Sequence, residues 1–142
     1  MSMLRIFDVA SSAISAQSQR LNVVASNLSN ADTVAGPDGA AYKARQVIFQ
    51  TALVGQPGPP GQREASVGVR VSTIAEDNTP GRRVLDPKHP SADADGYVTY
   101  SNVNPVEEMV NMISASRSYQ NSVEVMNTAR NLLQKTLQMG QG

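Results

Sequence analysis

The 142-residue sequence has no cysteine and no tryptophan, and aromatic residues make up only 4% of it. Without cysteine, the chain cannot form a disulfide, use a catalytic thiolate or bind zinc through sulfur. Because aromatic residues are scarce, few large side chains are present from which to build a core. A chain of this length fits one domain, or one domain with a small insert.

Excess charge of either sign is also missing. Twelve basic residues balance twelve acidic ones, so the formal net charge is zero. Binding to nucleic acid needs many Lys and Arg residues to neutralise phosphates, and an anionic membrane surface makes a similar demand. We therefore expect no nucleic acid partner and no direct lipid binding.

Long apolar runs are absent as well. No stretch of the sequence approaches the ~18–20 apolar residues that a membrane-spanning helix needs. The first 25 residues lack the basic start and the apolar run of a secretory signal peptide. If the protein is exported, we expect it to be exported without a cleaved signal peptide.

Groups that could carry catalysis or bind a metal are few. His89 is the only histidine, and with no second histidine or cysteine we interpret it as a loop residue. The segment Asp93-Ala94-Asp95-Gly96 resembles a fragment of a calcium loop, but Asn102 occupies the twelfth position, where a bidentate Glu is required. We interpret this segment as a turn. The sequence therefore predicts no enzyme, no catalytic residues, no cofactor, no metal and no small-molecule substrate.

Two long amphipathic segments are present, and the first covers residues 3–30. Its apolar residues recur with the seven-residue spacing of a helix that packs along one face, which we call its seam. The opposite face is rich in Ser, Gln and Asn but poor in charge, which favours contact with other polar protein surfaces over simple solvation. The predicted seam of this helix comprises Phe7, Ala10, Ile14, Leu21, Val24 and Leu28, with Gln17 as its polar member.

The second amphipathic segment covers residues 105–139 and has clear end signals. Asn104 can cap it, Pro105 suits the first helical position, and Gly140 is a plausible stop. At 1.5 Å per residue this helix would be roughly 50 Å long, which is too long for the core of a compact protein of this size. Small residues (Ala115, Ser122, Ala129 and Thr136) alternate with larger ones along the predicted seam and should permit close backbone approach. The predicted interface residues of this seam are Met109, Met112, Ala115, Tyr119, Val123, Met126, Leu133 and Leu137.

The middle of the chain has short strand-like segments. Residues 46–53 and the alternating valines of 67–71 predict two strands, and 83–86 and 97–100 predict two shorter ones. The Pro/Gly-rich segment 56–62 predicts a flexible surface loop. The predicted fold is mainly α, with discontinuous N- and C-terminal long helices paired as a coiled-coil or helical-bundle domain (1–33 plus 103–142). A small β-rich insert (34–102) lies between them.

Two motifs resemble the signatures of the bacterial flagellar rod and hook proteins. The N-terminal motif is Ser26-Asn27-Leu28-Ser29-Asn30-Ala31-Asp32 followed by Tyr42-Lys43-Ala44-Arg45. The C-terminal motif covers residues 101–110 and the Arg117-Ser118-Tyr119-Gln120-Asn121 that follows. Most members have Thr-Pro-Gly directly before the tyrosine, whereas residues 34–41 intervene here. That departure and the short middle are similar to the small proximal rod members. The residues matching the family motif are Asn27, Asn30, Ala31, Asp32, Tyr42, Asn102, Val103, Asn104, Glu108, Arg117 and Tyr119.

The resemblance implies a structural subunit of the flagellar basal-body rod. Such proteins are exported by the flagellar type III apparatus without a cleaved signal peptide. They assemble with other rod subunits and with copies of themselves into an axial helical tube that crosses the periplasm, through their terminal helices. The residues of the two seams would then form the subunit interface. The alternative is a small coiled-coil adaptor or export chaperone, which would be a closed bundle in the cytoplasm.

Overall fold

The computed structural model describes residues 3–54 and 66–141. Two helices, α1 (Met3–Ser29) and α2 (Pro105–Gly140), stand at the two ends of this sequence and make up about half of the described residues. Between them lie β1 (Arg45–Val54), β2 (Ser66–Glu76), β3 (Arg83–Leu85) and β4 (Tyr97–Thr99), which form two two-stranded sheets, β1 with β2 and β3 with β4. The two terminal helices and all four strand segments are confirmed, whereas the predicted loop at 56–62 lies outside the described residues.

The ends of both helices follow from their local sequence. The side-chain oxygen of Asn104 accepts hydrogen bonds from the backbone N–H groups of Val106 (3.1 Å) and Glu107 (3.4 Å), which satisfies donors that have no partner inside α2. Glu107 and Glu108 lie in the first turn, where negative charge suits the helix dipole. After the last turn of α1, Asn30 donates from its side-chain amide to the carbonyl of Ser26 at 2.8 Å. The predicted cap of α2 is therefore confirmed.

The chain divides into two compact units, and both helices and the β1–β2 ribbon contribute to each of them. The first unit is built from described residues within 1–19, 48–73 and 115–142, and the second from 20–47 and 74–114. Each unit therefore combines helix with strand. The predicted division into a terminal helical domain, 1–33 plus 103–142, and an insert, 34–102, stays a prediction about assembly.

In the first unit, β2 approaches α1 closely at Gly68. A Cβ atom on Gly68 would lie 2.6 Å from Ser12 Oγ, so only glycine leaves room for this approach. Ser12 Oγ accepts a hydrogen bond from the backbone N–H of Val69 (3.1 Å) and donates one to the carbonyl of Val9 (2.7 Å). The polar face of α1 thus binds the edge of a strand at this point.

In the second unit, β3 and β4 pair antiparallel, with Val84 opposite Val98, whose side chain is fully buried. A small apolar cluster of Ala31, Ala44 and Val103 lies in the same unit and packs against Tyr42. Residues 36–39, which lie between α1 and β1, form a turn. The backbone N–H of Gly39 donates to the carbonyl of Gly36 at 2.9 Å, and Gly39 adopts a φ of 75°, which favours glycine.

Candidate assembly site

A hydrogen-bonded cluster around Asn27 joins three distant parts of the second unit, and we call it the asparagine clasp (Asn27, Tyr42, Arg45 and Glu108). The amide nitrogen of Asn27 donates to the carbonyl of Arg45 (2.8 Å) and to the carboxyl group of Glu108 (3.0 Å). Its amide oxygen accepts from the Tyr42 hydroxyl (3.0 Å) and from the backbone N–H of Arg45 (3.0 Å). The clasp therefore connects the end of α1, the start of β1 and the first turn of α2.

The centre of the clasp, Asn27 with Glu108, is buried, so its hydrogen bonds matter energetically. Asn27 is 0% exposed and Glu108 is 8% exposed. Both donors and both acceptor positions of the Asn27 amide are used, which avoids the cost of leaving a buried polar group without a partner. The Tyr42 ring is flanked by the Arg45 guanidinium, 5.7 Å from the ring centroid, and its hydroxyl lies 3.1 Å from Ser26 Oγ. This arrangement explains why an asparagine is buried near the end of α1.

A second polar cluster, centred on Asn102, fixes the segment that enters α2. The side-chain oxygen of Asn102 accepts from the backbone N–H of Ala44 at 2.7 Å. Its amide nitrogen donates to the carbonyls of Asp77 (2.9 Å) and Thr79 (3.0 Å). The side chain of Asn102 therefore provides hydrogen-bond partners for backbone groups of two separate loops.

Residues of both motifs hold the chain that leaves α1. Ser101 is 3% exposed, and its hydroxyl donates to the carbonyl of Ala31 at 2.7 Å. Thr33 donates to the carbonyl of Asn30 at 2.8 Å, and Asp32 forms an exposed ion pair with Arg82 at 3.7 Å. The two motifs, which are far apart in the sequence, therefore meet through hydrogen bonds in one unit.

The motif residues Arg117 and Tyr119 lie apart from these clusters, in the part of α2 that belongs to the first unit. Arg117 is exposed and Tyr119 is half-buried. Sequence reasoning identified most members of the clasp as motif residues but did not predict that they contact one another. It missed the backbone of Arg45 and the hydroxyl of Ser101 as partners, and no periodicity signals such pairings.

The predicted seam of α1 is covered only in part, and the most buried residues of this helix, Ala16 and Asn27, lie outside it. Ala10 and Val24 are buried. The oxygen Oε1 of Gln17 is also buried and has no hydrogen-bond partner among the described residues. The other seam residues are only half-buried and keep part of their surface accessible; they are Phe7, Ile14, Leu21 and Leu28.

Coverage of the predicted α2 seam varies along the helix. Ala115 is 0% exposed and Ala129 is 3% exposed, in line with the expectation that small residues allow a close approach. Met109 and Leu137, which widen the seam, are exposed by 54% and 59%. The larger seam residues between them are half-buried: Met112, Tyr119, Val123, Met126 and Leu133. Whether these residues contact a neighbouring subunit stays a prediction.

The segment with calcium-loop character forms a turn. The carboxyl group of Asp93 accepts from the backbone N–H groups of Tyr97 (2.8 Å) and Asp95 (3.0 Å) and pairs with Arg83 at 2.7 Å. The hydrogen bond from Tyr97 is the largest of the effects that hold the pKa of Asp93 below its ordinary value. His89 accepts from the backbone N–H of Ser91 and belongs to a loop, as predicted. Within residues 3–54 and 66–141, no group of His, Asp and Glu side chains is placed to hold a metal ion.

Neither described helix is both long enough and apolar enough to cross a membrane. Residues 7–37 match the family model described as "Flagella basal body rod protein". Residues 94–139 match the one described as "Flagellar basal body rod FlgEFG protein C-terminal". The two matches cover most of the two terminal helices and include Asn27, Asn102 and Glu108, whereas Tyr42 and Arg45 lie between the matched ranges.

Several similar proteins that share one name align with the chain over almost its whole length. A flagellar basal-body rod protein FlgC from Yersinia enterocolitica is 57% identical over 141 residues, covering 99% of this chain and 100% of that protein. The protein of the same name from Salmonella typhimurium is 52% identical with the same coverage. The one from Borreliella burgdorferi is 38% identical and covers 100% of both chains.

Proposed function

Because the chain belongs to the FlgC family of flagellar basal-body rod proteins, we propose that it assembles into the proximal part of the rod through its two terminal helices. The chain is a structural subunit of the basal body and not an enzyme. The observation that carries this conclusion is the 57% identity to a rod protein over 99% of the chain. The partners we propose are other rod subunits and copies of the chain itself.

The asparagine clasp supports the assembly role indirectly. Asn27 and Glu108 are 81 positions apart in the sequence, and their hydrogen bond ties the end of α1 to the start of α2. A subunit that polymerises through both terminal helices must present them in one defined arrangement, because a mobile pair would lose entropy on docking. The motif residues of the clasp therefore position the two helices, and other surfaces of the subunit contact neighbouring subunits.

The seam residues can serve both inside the chain and between subunits. Buried small residues such as Ala115 and Ala129 pack within the subunit. Half-buried ones such as Leu21, Tyr119 and Met126 retain exposed surface, and covering that surface on assembly would contribute about 25 cal/mol for each Å² of apolar area removed from water. We propose that the half-buried members of both seams contact neighbouring subunits in a coiled-coil or bundle-like arrangement.

Export and location follow from the same proposal. A rod that crosses the periplasm must be built from exported subunits, and we propose that this chain leaves the cytoplasm through the flagellar type III apparatus without a cleaved signal peptide. The zero net charge and the sparse basic residues support a protein partner over nucleic acid or lipid. No observation favours the alternative of an adaptor or export chaperone.

The test is to locate the protein. Basal bodies isolated from the source bacterium should contain the chain when analysed by mass spectrometry, and a strain without the gene should build no complete rod and should not swim. Adding back the wild-type gene should restore both. Finding the chain only in the cytoplasm, with basal bodies complete without it, would contradict the proposal and support the adaptor or chaperone function.

A further inference from the structure

The turn between α1 and β1 contains the dipeptide Asp38-Gly39, and both of its residues are exposed. The carboxyl group of Asp38 is folded back over its own backbone, because its Oδ1 accepts a hydrogen bond from the backbone N–H of Ala40 at 3.2 Å. The amide nitrogen of Gly39 lies in the backbone between these two groups. The turn therefore holds a carboxyl group beside the amide nitrogen that follows it in the chain, on the surface of the second unit.

Gly39 leaves this amide nitrogen open to attack on the carboxyl group. A glycine has no side chain to hinder the closure of a ring through its nitrogen. Even an added Cβ atom on Gly39 would meet no atom within 4 Å beyond its chain neighbours. The N–H of Gly39 donates to the carbonyl of Gly36 at 2.9 Å, but this bond closes only a surface turn and can open without disturbing a strand or a helix.

We propose that Asp38 is a site of spontaneous covalent modification, where the bond between Asp38 and Gly39 isomerises to an isoaspartyl linkage. The amide nitrogen of Gly39 loses its proton and forms a bond to Cγ of Asp38, and a carboxyl oxygen leaves as water. The product is a five-membered succinimide ring. Water then adds to one of the two ring carbonyl carbons and opens the ring, so the sequence of steps needs no oxidant, reductant or cofactor.

The position of ring opening decides the product. Opening at Cγ restores Asp38, whereas opening at its backbone carbonyl carbon leaves the chain running through Cγ. The second product has one extra carbon in the backbone and keeps the negative charge as a free α-carboxylate. The hydrogen bond from Gly39 to Gly36 cannot keep its geometry in this longer turn. The nearest following residue of the asparagine clasp is Tyr42, so the change is confined to the turn.

The other Asp-Gly pair of the sequence, Asp95-Gly96, has the same local chemistry but a different setting. The carbonyl of Gly96 accepts from the backbone N–H of Asp86 at 2.9 Å, and the N–H of Gly96 donates to the carbonyl of Asp93 at 3.0 Å. A Cβ atom on Gly96 would lie 3.1 Å from the ring of Pro87. Closing a succinimide there requires the end of the β3–β4 pair to open, so the fold protects this second pair.

No asparagine of the sequence precedes a glycine, so the amide counterpart of this reaction has no comparable site in the chain. Asp38 is therefore the preferred position for isomerisation. The modification depends on the turn alone and not on assembly into the rod. The isomerised fraction at Asp38 accordingly records the age of the folded chain.

Ageing the purified full-length chain at neutral pH tests the assignment. Trypsin then separates Asp38, in peptide 21–43, from Asp95, in peptide 89–117. Methyl transfer by a protein isoaspartate methyltransferase measures the isoaspartyl groups, and electron-transfer fragmentation of the peptides locates them. We expect at least about tenfold more isoaspartate at Asp38 than at Asp95, because surface turns open far more often than paired strands.

Two controls show whether the turn is responsible. Asp38→Glu keeps the charge but would have to close a six-membered ring, so the isoaspartyl signal of peptide 21–43 should disappear while that of peptide 89–117 stays the same. In the wild-type chain unfolded in urea, the Asp38 and Asp95 sites should isomerise at similar rates, because the protection by the β3–β4 pair is lost.

Each other outcome overturns the inference. No isoaspartate at Asp38 in the aged folded chain, or an equal or higher yield at Asp95, contradicts Asp38 as the preferred site. A signal in peptide 21–43 that survives in Asp38→Glu assigns the reaction to Asp32 instead. A preference for Asp38 that persists unchanged in urea shows that the neighbouring sequence, and not the folded turn, selects the site.

Discussion

The two ends of α2 have similar amphipathic sequences but very different surroundings. At its start, Glu108 is buried and bonded to Asn27 at 3.0 Å. In its last three turns, residues 130–140, only Leu133 is even half-buried, and Leu132 and Met139 are exposed by 50% and 77%. The first end is held by partners within the subunit, whereas the last end has few of them.

The two ends of α2 are therefore stabilised in different ways. Polar side chains from distant segments define the start of α2, because each buried donor and acceptor must find its partner there. The last turns have little beyond intrinsic helix propensity to stabilise them, and most helical stability in proteins comes from packing an apolar face. The start of the helix therefore serves the fold of the subunit, and its end is available to neighbours.

Breaking the clasp should have the largest effect. Asn27→Ala leaves the Tyr42 hydroxyl, the backbone of Arg45 and the carboxyl group of Glu108 without their partner. We expect the free energy of unfolding of the isolated chain to fall by about 3 kcal/mol or more, as measured by urea denaturation. Asn22→Ala, an exposed change on the same helix, should cost less than about 0.5 kcal/mol. Equal urea midpoints for Asn27→Ala and Asn22→Ala would show that the clasp contributes little to the free energy of unfolding.

A charge in the middle of α2 should affect assembly more than folding. Met126 is half-buried, and covering it fully in the rod should contribute up to about 1.5–3 kcal/mol. Met126→Lys should therefore abolish swimming in a motility assay, with a smaller loss of stability in the isolated chain. Asn127→Lys, an exposed neighbour, is the control. Normal swimming by the Met126→Lys strain would mean that this side of α2 makes no contact between subunits.

Removing the end of α2 should leave the subunit folded. Deleting residues 130–142 removes no fully buried side chain among the described residues, so urea unfolding should shift by less than about 1 kcal/mol. The truncated protein should still be secreted but be missing from basal bodies. In the intact monomer, amides of 132–140 should exchange hydrogen faster than those of 109–115. Finding the truncated protein in complete rods would contradict the proposed role of the end of α2 in assembly.

A change in the turn between β3 and β4 should have the smallest effect on stability, because its key residue is hydrogen-bonded but not buried. Asp93 is bonded like a clasp residue but is exposed. Its pKa is lowered in the folded chain, so its contribution is present above the ordinary value of 3.8 and is lost as the pH falls through the lower folded value. We expect the NMR shift of the Tyr97 amide to stay constant from pH 7 to 5 and to move only below pH 4. Asp93→Asn should remove that movement without changing global unfolding, and a movement near pH 6 would contradict the assignment.

Periodicity and end signals were sufficient for the secondary structure. Seven-residue spacing predicted both helices, Asn104 and Pro105 marked the start of α2, and the alternating valines of 67–71 marked β2, because these features depend on neighbours in the sequence.

What the sequence by itself determined about this protein is therefore local or inherited from its family: helices, caps, strands, the missing cysteine and the rod signatures. Only the tertiary structure decided which polar groups of those signatures meet, which seam residues are covered, and which aliphatic face is left exposed. The physical reason is that hydrogen bonds such as the one between Asn27 and Glu108 join residues 81 positions apart. Their formation depends on the packing of the whole unit and not on any local pattern.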